Sequence, residues 1–118
     1  MPRLVHFEIP AQDPEGLAGF YRSTLGWSAT PFAPLGEYMI IRANNSHEIN
    51  GGIAHSSTLP SGKGLNIFEV EDIEAVADIA IGNGGKLVQP MHIVPTVGWR
   101  AYLADPQGNT FGIITHSA

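Results

Sequence analysis

The chain has no cysteine and few charged residues. Of its 118 residues only 14% are charged, and six are lysine or arginine. Without cysteine there can be no disulfide and no thiolate metal site, so a metal would need His, Asp or Glu ligands. The basic residues are scattered and the formal net charge is -5. Because phosphate backbones require clustered positive charge, nucleic acid is not an expected partner.

Long apolar runs are also missing from the sequence. No stretch approaches the length of a membrane span or of a signal-peptide core. We therefore expect no membrane partner and a cytoplasmic location. With 43% apolar residues, the chain is long enough to bury a core without disulfides. The sequence predicts one domain, over residues 1–118.

An internal repeat is the main feature that is present. Asp-Pro-Glu-Gly-Leu-Ala at residues 13–18 is echoed 59 positions later by Asp-Ile-Glu-Ala-Val-Ala at residues 72–77. Each copy follows a short apolar strand, and residues 52–56 resemble residues 112–117 near the end of each copy. The repeat predicts two modules with pseudo-two-fold symmetry, and a ligand site at their seam.

Each module reads as a strand, a helix and three strands. Asp13 and Asp72 are good N-caps, Pro14 suits a first helical position, and Gly26 suits a helix end. These signals predict helices over residues 14–25 and from residue 73 to about residue 81. The strand pattern covers residues 4–10, 27–32, 37–43 and 49–56 in module one (about 3–57), and 65–70, 86–91, 99–104 and 110–116 in module two (about 64–117). The flexible connection over 56–64 could fold within one chain or swap between two.

Both ends of the sequence resemble one family. His6-Phe7-Glu8-Ile9-Pro10 at the start and Asp105-Pro106-Gln107-Gly108-Asn109 with Thr110-Phe111-Gly112-Ile113 at the end look like the glyoxalase/bleomycin-resistance/dioxygenase superfamily, also known as vicinal oxygen chelate. The resemblance implies an α+β fold of two tandem βαβββ modules that form a cup-shaped mixed sheet, and it implies a homodimer. This fold serves lyases, dioxygenases, epimerases and drug-sequestering proteins, so activity must be argued from the site.

The resemblance also implies where a divalent metal would bind. In metal-dependent members each module supplies a ligand on its first strand, usually His, and another on its last, usually Glu. His6 matches the first position. The others fall on Gly52, on Gly112, and on Leu65 or Ile67, none of which offers a ligand side chain. Since a catalytic metal needs two or three protein ligands, we expect no cofactor of the usual kind. A rearranged set around His6 and Glu8, with His47, His55, His92 or His116, stays open.

Two carboxylates are candidate site residues. Glu8 and Glu69 should face the concave side of the sheet, because their apolar neighbours should cover the helices. If they are buried together, one could have a raised pKa and act as a general acid or base with His6. Alternatively, they could form ion pairs, with Arg42 or Arg100, that simply hold the seam.

Further candidates would line the cavity. Gly52 and Gly112 either open volume for a ligand or merely permit close strand approach. Tyr38, Trp99 and Tyr102 could stack on a planar ligand or pack in the core. Residues 91–98, which carry Pro and Gly, suit a loop or edge segment that acts as a lid.

These observations favour a metal-free cup that binds a small organic molecule, with His6, Glu8 and Glu69 orienting it. Two alternatives stay open. One is a metal-dependent lyase or dioxygenase with a rearranged ligand set around His6 and Glu8. The other is metal-free acid/base catalysis by Glu8 and His6.

Overall fold

The computed structural model describes residues 2–42 and 49–116. The elements follow the order strand, helix and three strands, twice. They are β1 (Arg3–Ala11), α1 (Pro14–Leu25), β2 (Ser28–Pro31), β3 (Tyr38–Arg42), β4 (Asn50–His55), β5 (Leu65–Glu69), α2 (Ile73–Gly82), β6 (Lys86–Val94), β7 (Gly98–Ala104) and β8 (Thr110–Thr115), with short 3-10 helices at Ala33–Leu35 and Ser56–Thr58. The predicted α+β fold of two βαβββ modules is confirmed. Neither helix in the described ranges has the length and apolar character needed to span a membrane.

The contacts group the chain into two units. Module one, as the structure defines it, is residues 6–64, and module two is residues 65–116 together with residues 2–5. The first three residues of β1 are thus grouped with module two, and the rest of the strand with module one.

The two modules have the same strand order. In module one the order is β2-β3-β4-β1, and β1 is parallel to β4 while the other neighbours are antiparallel. In module two the order is β5-β8-β7-β6, and β5 is parallel to β8. Hydrogen-bond register fixes the equivalent positions: Glu8 lies opposite Gly52, and Ile67 lies opposite Gly112. Ile67 is therefore the counterpart of Glu8.

Both helices begin as the sequence predicts. The Asp13 carboxylate accepts from the Gly16 backbone N–H at 3.1 Å, and the Asp72 carboxylate accepts from the Ala75 N–H at 3.1 Å. Such caps satisfy backbone donors that have no partner in the first turn. The C-cap Gly26 of α1 has a left-handed φ of 70°, which favours glycine.

Each helix covers one face of its own sheet. Ala18 of α1 is fully buried against Met39, Ile41 and Ile53. Helical spacing predicts an apolar face of Leu17, Phe20, Tyr21 and Leu25 for α1. Leu17 and Tyr21 do pack against this cluster, but Phe20 and Leu25 are 57% and 56% exposed.

In module two, α2 covers a corresponding cluster. Val70, Ile73, Ala101, Leu103 and Ile113 form this cluster. The opposite sheet faces carry a second pair of clusters, with Tyr38, Ala54 and Leu59 in module one and Leu65, Ile67, Tyr102 and Ile114 in module two.

Residues 91–98 form the end of an edge strand and a turn, in agreement with the loop or edge segment that the sequence predicts. Residues 91–94 end the edge strand β6, which pairs with β7 up to Val94 opposite Gly98. A tight turn follows, with Thr96 at a φ of 66°. The lid hypothesis for this segment therefore applies to a short hairpin.

Candidate functional site

The strand period of β1 places Glu8 and His6 on the sheet face opposite α1. Phe7 and Ile9 pack into the core under the helix. Because side chains alternate along a strand, His6 and Glu8 point to the opposite face. Glu8 is 4% exposed and is the one charged side chain that is buried in the described ranges. Its Oε2 lies 3.9 Å from Nε2 of His6. The sequence prediction that Glu8 faces away from the helix is confirmed.

Tyr38 joins this pair from two strands away. It is the first residue of β3, it is 6% exposed, and its hydroxyl lies 2.7 Å from Nε2 of His6. Strand β4 lies between β1 and β3. The tyrosine ring must therefore cross β4 to reach the histidine.

Gly52 of β4 makes that crossing possible. A Cβ atom at this position would overlap the Tyr38 hydroxyl and ring. The sequence allowed two interpretations of this glycine, an opening for a ligand or a close approach. The structure agrees with a close approach, because the Tyr38 ring fills the space.

Gly112 has a related environment in module two. A Cβ atom there would lie 3.0 Å from Ile67 and 3.4 Å from the ring of Tyr102. Tyr102 is 1% exposed and lies directly opposite Gly112 in the β7–β8 register. Both inward glycines thus have a tyrosine ring beside them. The tyrosine ring lies much closer to Gly52 than to Gly112.

Glu69 is not the structural counterpart of Glu8. The register gives that position to Ile67, so the two carboxylates do not occupy equivalent positions of the repeat. Glu69 instead accepts from Nδ1 of His116 at 2.7 Å and from Nε of Arg3 at 3.1 Å. These hydrogen bonds, that from His116 above all, hold the pKa of the Glu69 carboxyl below its usual value. Its role in ligand binding stays a prediction.

Glu69 and His116 also line a cavity of about 640 Å³ in module two. This cavity lies at the start of α2. The remaining lining residues are Pro2, Val70, Glu71, Asp72, Ala75, Val76 and Thr115.

Trp99 agrees with the core-packing interpretation of the sequence. It packs against the cluster under α2, which includes Ala101 and Leu103 from the same strand. Alternation along β7 then turns Arg100 and Tyr102 to the opposite face. There the Arg100 guanidinium lies 4.8 Å from the centre of the Tyr102 ring. Trp99 and Tyr102 thus both pack in hydrophobic clusters, on opposite faces of β7.

Comparison with known proteins agrees with this fold. A profile of the Glyoxalase/Bleomycin resistance protein/Dioxygenase superfamily matches residues 3–113. The chain belongs to this superfamily.

Two protein relatives and one solved structure are similar to this chain over most of its length. A glyoxylase-like domain-containing protein of Didymella fabae is 29% identical, over 92% of this chain and 89% of that protein. The candidate glyoxylase CFP32 of Mycobacterium bovis is 26% identical over 94% of this chain, which spans only 43% of CFP32. A Streptomyces coelicolor methylmalonyl-CoA epimerase structure has a TM-score of 0.72 at 17% identity, covering 98% of this chain and 95% of the other.

The superfamily's metal positions can now be compared with the residues that are present. The register makes Leu65, which is buried and apolar, the counterpart of His6. Gly52 and Gly112 offer no side chain, and His6 Nε2 is hydrogen-bonded to Tyr38. This donor set does not fit a divalent metal at the superfamily's position.

A rearranged metal site gains no support from the other histidines. His55 contacts Ser57, His92 accepts from Arg100, and His116 contacts Glu69. Within residues 2–42 and 49–116, no three His, Asp or Glu side chains form a group that could hold a metal ion. His47 lies outside the described residues.

The contact between His6 and Tyr38 is what the sequence reasoning missed. The sequence analysis names Tyr38 as a residue that could stack on a ligand or pack in the core, and not as a partner of His6. Its link to His6 joins residues 32 positions apart, and no periodicity relates them. The available signal was a glycine at an inward strand position, which requires a neighbour large enough to fill the space.

Proposed function

We propose that this chain binds a small organic molecule on the module-one face that carries Glu8, His6 and Tyr38, without the superfamily's usual metal. The observation that carries the proposal is the buried carboxylate of Glu8, beside an imidazole held by a tyrosine hydroxyl. Burying an ionisable group opposes folding unless polar partners compensate. Polar clusters of this kind are frequently binding or reaction sites.

The relatives support small organic molecules as the ligand class. The Streptomyces coelicolor epimerase structure is a complex with 2-nitronate-propionyl-CoA. The Didymella fabae relative is described as containing a glyoxylase-like domain. These descriptions differ in chemistry, so they favour the class of ligand and not one compound.

Nuclear magnetic resonance of the labelled full chain tests this proposal. The probes are a fragment library and propionyl-CoA, with EDTA in the buffer. We expect binders to shift the signals of Glu8, His6 and Tyr38. Replacing a charged hydrogen-bond acceptor should weaken such binding about tenfold or more in Glu8→Gln. The matched control is Glu15→Gln on the exposed side of α1. Binding that requires an added divalent ion, or that is equal in Glu8→Gln, would contradict the proposal.

Acid/base catalysis without metal is a second candidate function. The Glu8 carboxylate and the Tyr38 hydroxyl both lie beside Nε2 of His6, at 3.9 Å and 2.7 Å. The buried carboxylate and the imidazole could each take a proton from a molecule bound on this face. Incubating carbonyl compounds with the protein in D₂O would reveal exchange of their acidic C–H protons. Unchanged exchange in Glu8→Gln would remove this candidate.

The homodimer, the cytoplasmic location and the absence of nucleic-acid or membrane partners are also proposals. The homodimer is supported by the superfamily resemblance alone. Light scattering coupled to gel filtration tests it directly, because a dimer would have twice the 12.6 kDa mass of the chain.

A further inference from the structure

We infer that Tyr38 and Gly52 together close the metal position of module one, so that the Tyr38 hydroxyl holds His6 where a metal ion would otherwise bind. The inference rests on the proposed metal-free function and goes further. It names Tyr38 as the residue that positions His6, and Gly52 as the residue that permits this.

The sheet register explains why these two residues act as a pair. Gly52 lies between Glu8 on β1 and Ile40 on β3. Tyr38 is two residues from Ile40 and therefore points to the same face. Its ring leans across Gly52, in the space that any side chain at residue 52 would need. A carboxylate at residue 52 and Tyr38 in its present position thus exclude each other.

The second argument concerns His6 itself. A ring nitrogen that shares a hydrogen bond with a hydroxyl cannot use the same site for a metal. The distance of 2.7 Å between Nε2 of His6 and the Tyr38 hydroxyl is that of a well-formed hydrogen bond. A metal ion would have to displace the hydroxyl.

Packing opposes that displacement. The Tyr38 ring is in the cluster with Ala54 and Leu59, and its centre lies 6.1 Å from that of Phe32 in an edge-to-face arrangement. Moving the ring away from His6 would disrupt these contacts, because close-packed interiors have little spare volume. Tyr38 is therefore fixed from both ends, by packing along the ring and by the hydrogen bond at its tip.

The experiment follows the side-chain nitrogen signals of His6 by NMR in four proteins. These are the wild type, Tyr38→Phe, Gly52→Ala and the control Gly112→Ala. We expect Tyr38→Phe and Gly52→Ala to shift the Nε2 signal in the same direction, since one removes the hydroxyl and the other displaces it. Gly112→Ala should leave the signal unchanged. If Gly52→Ala fails to fold, Tyr38→Phe still tests the hydrogen bond, because it keeps the ring.

Zinc titration forms the second arm. Adding Zn²⁺ to the wild type should leave the His6 signals in place. Stoichiometric Zn²⁺ binding that is lost in His6→Ala would overturn the inference. An unshifted Nε2 signal in Tyr38→Phe would also overturn it. Failure of the proposed function is a separate result: it would appear as no small-molecule binding while the His6 shifts still occur.

Discussion

The contact between Tyr38 and Gly52 makes a quantitative prediction for a double-mutant cycle. The single changes are Gly52→Ala, which adds one methyl group, and Tyr38→Leu, which removes the ring tip and the hydroxyl but keeps an apolar side chain. Because the added Cβ would overlap that ring tip, the effect of the methyl group depends on which residue stands at position 38. Two substitutions at residues that touch in this way should not be additive.

The magnitude follows from three contributions. Overpacking a well-filled site costs about 1 to 3 kcal/mol. Loss of the hydrogen bond between Tyr38 and His6 costs about 1 kcal/mol. Alanine in place of glycine within a strand contributes a gain of about 0.5 to 1 kcal/mol. Gly52→Ala should therefore lower the free energy of unfolding by about 1 to 3.5 kcal/mol in the wild type. In the Tyr38→Leu background only the gain from alanine in the strand remains. The coupling free energy between the two substitutions is therefore about 2 to 4 kcal/mol.

Urea unfolding followed by circular dichroism measures all four free energies. Gly112→Ala serves as the control from the other module. Its Cβ would meet Tyr102 at an ordinary 3.4 Å and Ile67 at a tight 3.0 Å, so we expect a smaller loss. Additive effects of Gly52→Ala and Tyr38→Leu would refute the reasoning. They would mean that the ring does not occupy the space above Gly52.

Three further predictions concern stability. Asp13→Ala and Asp72→Ala should each lower the free energy of unfolding by about 1 kcal/mol, as measured with urea, because each removes an N-cap. An unchanged free energy of unfolding in either variant would show that the cap does not stabilise that helix. Leu103→Ala should lower the free energy of unfolding by about 2 to 5 kcal/mol, because Leu103 is fully buried and its truncation leaves a cavity. A decrease below about 1 kcal/mol would contradict its core position. Finally, the lowered pKa of Glu69 means that its ion pairs stabilise the fold above the usual pKa near 4.5, and that this contribution is lost as pH falls through the lower folded pKa. The stability difference between wild type and Glu69→Gln should thus shrink below pH 4.5; a constant difference in thermal unfolding scans from pH 6 to pH 3 would contradict it.

Local sequence signals were sufficient for most of the fold. The first helix occupies the predicted residues 14–25, because its cap, its first-turn proline and its terminal glycine are all local features. The face of that helix was less well predicted, since helical spacing alone does not say which side turns to the sheet. Phe20 fits the apolar pattern, yet the small Ala18 takes the central position.

The repeat was predicted, but its exact alignment was not. Counting back from the helix caps makes Leu65 the counterpart of His6. Aligning Phe7-Glu8 with Phe68-Glu69 makes Ile67 its counterpart instead. Hydrogen bonds between strands decide this in favour of Leu65, because they fix the register that sequence similarity leaves open. The same register makes Ile67, and not Glu69, the counterpart of Glu8.

By itself, the sequence determined the α+β class, the duplicated module, and the orientation of Glu8 and His6 away from the helix. These properties depend on local periodicity and on caps, which are read within one element. Only the tertiary structure placed the hydroxyl of Tyr38 on His6 and the ring over Gly52. That contact joins β3 to β1 across β4. It depends on strand register and on available volume, neither of which is encoded in the spacing of the residues along the chain.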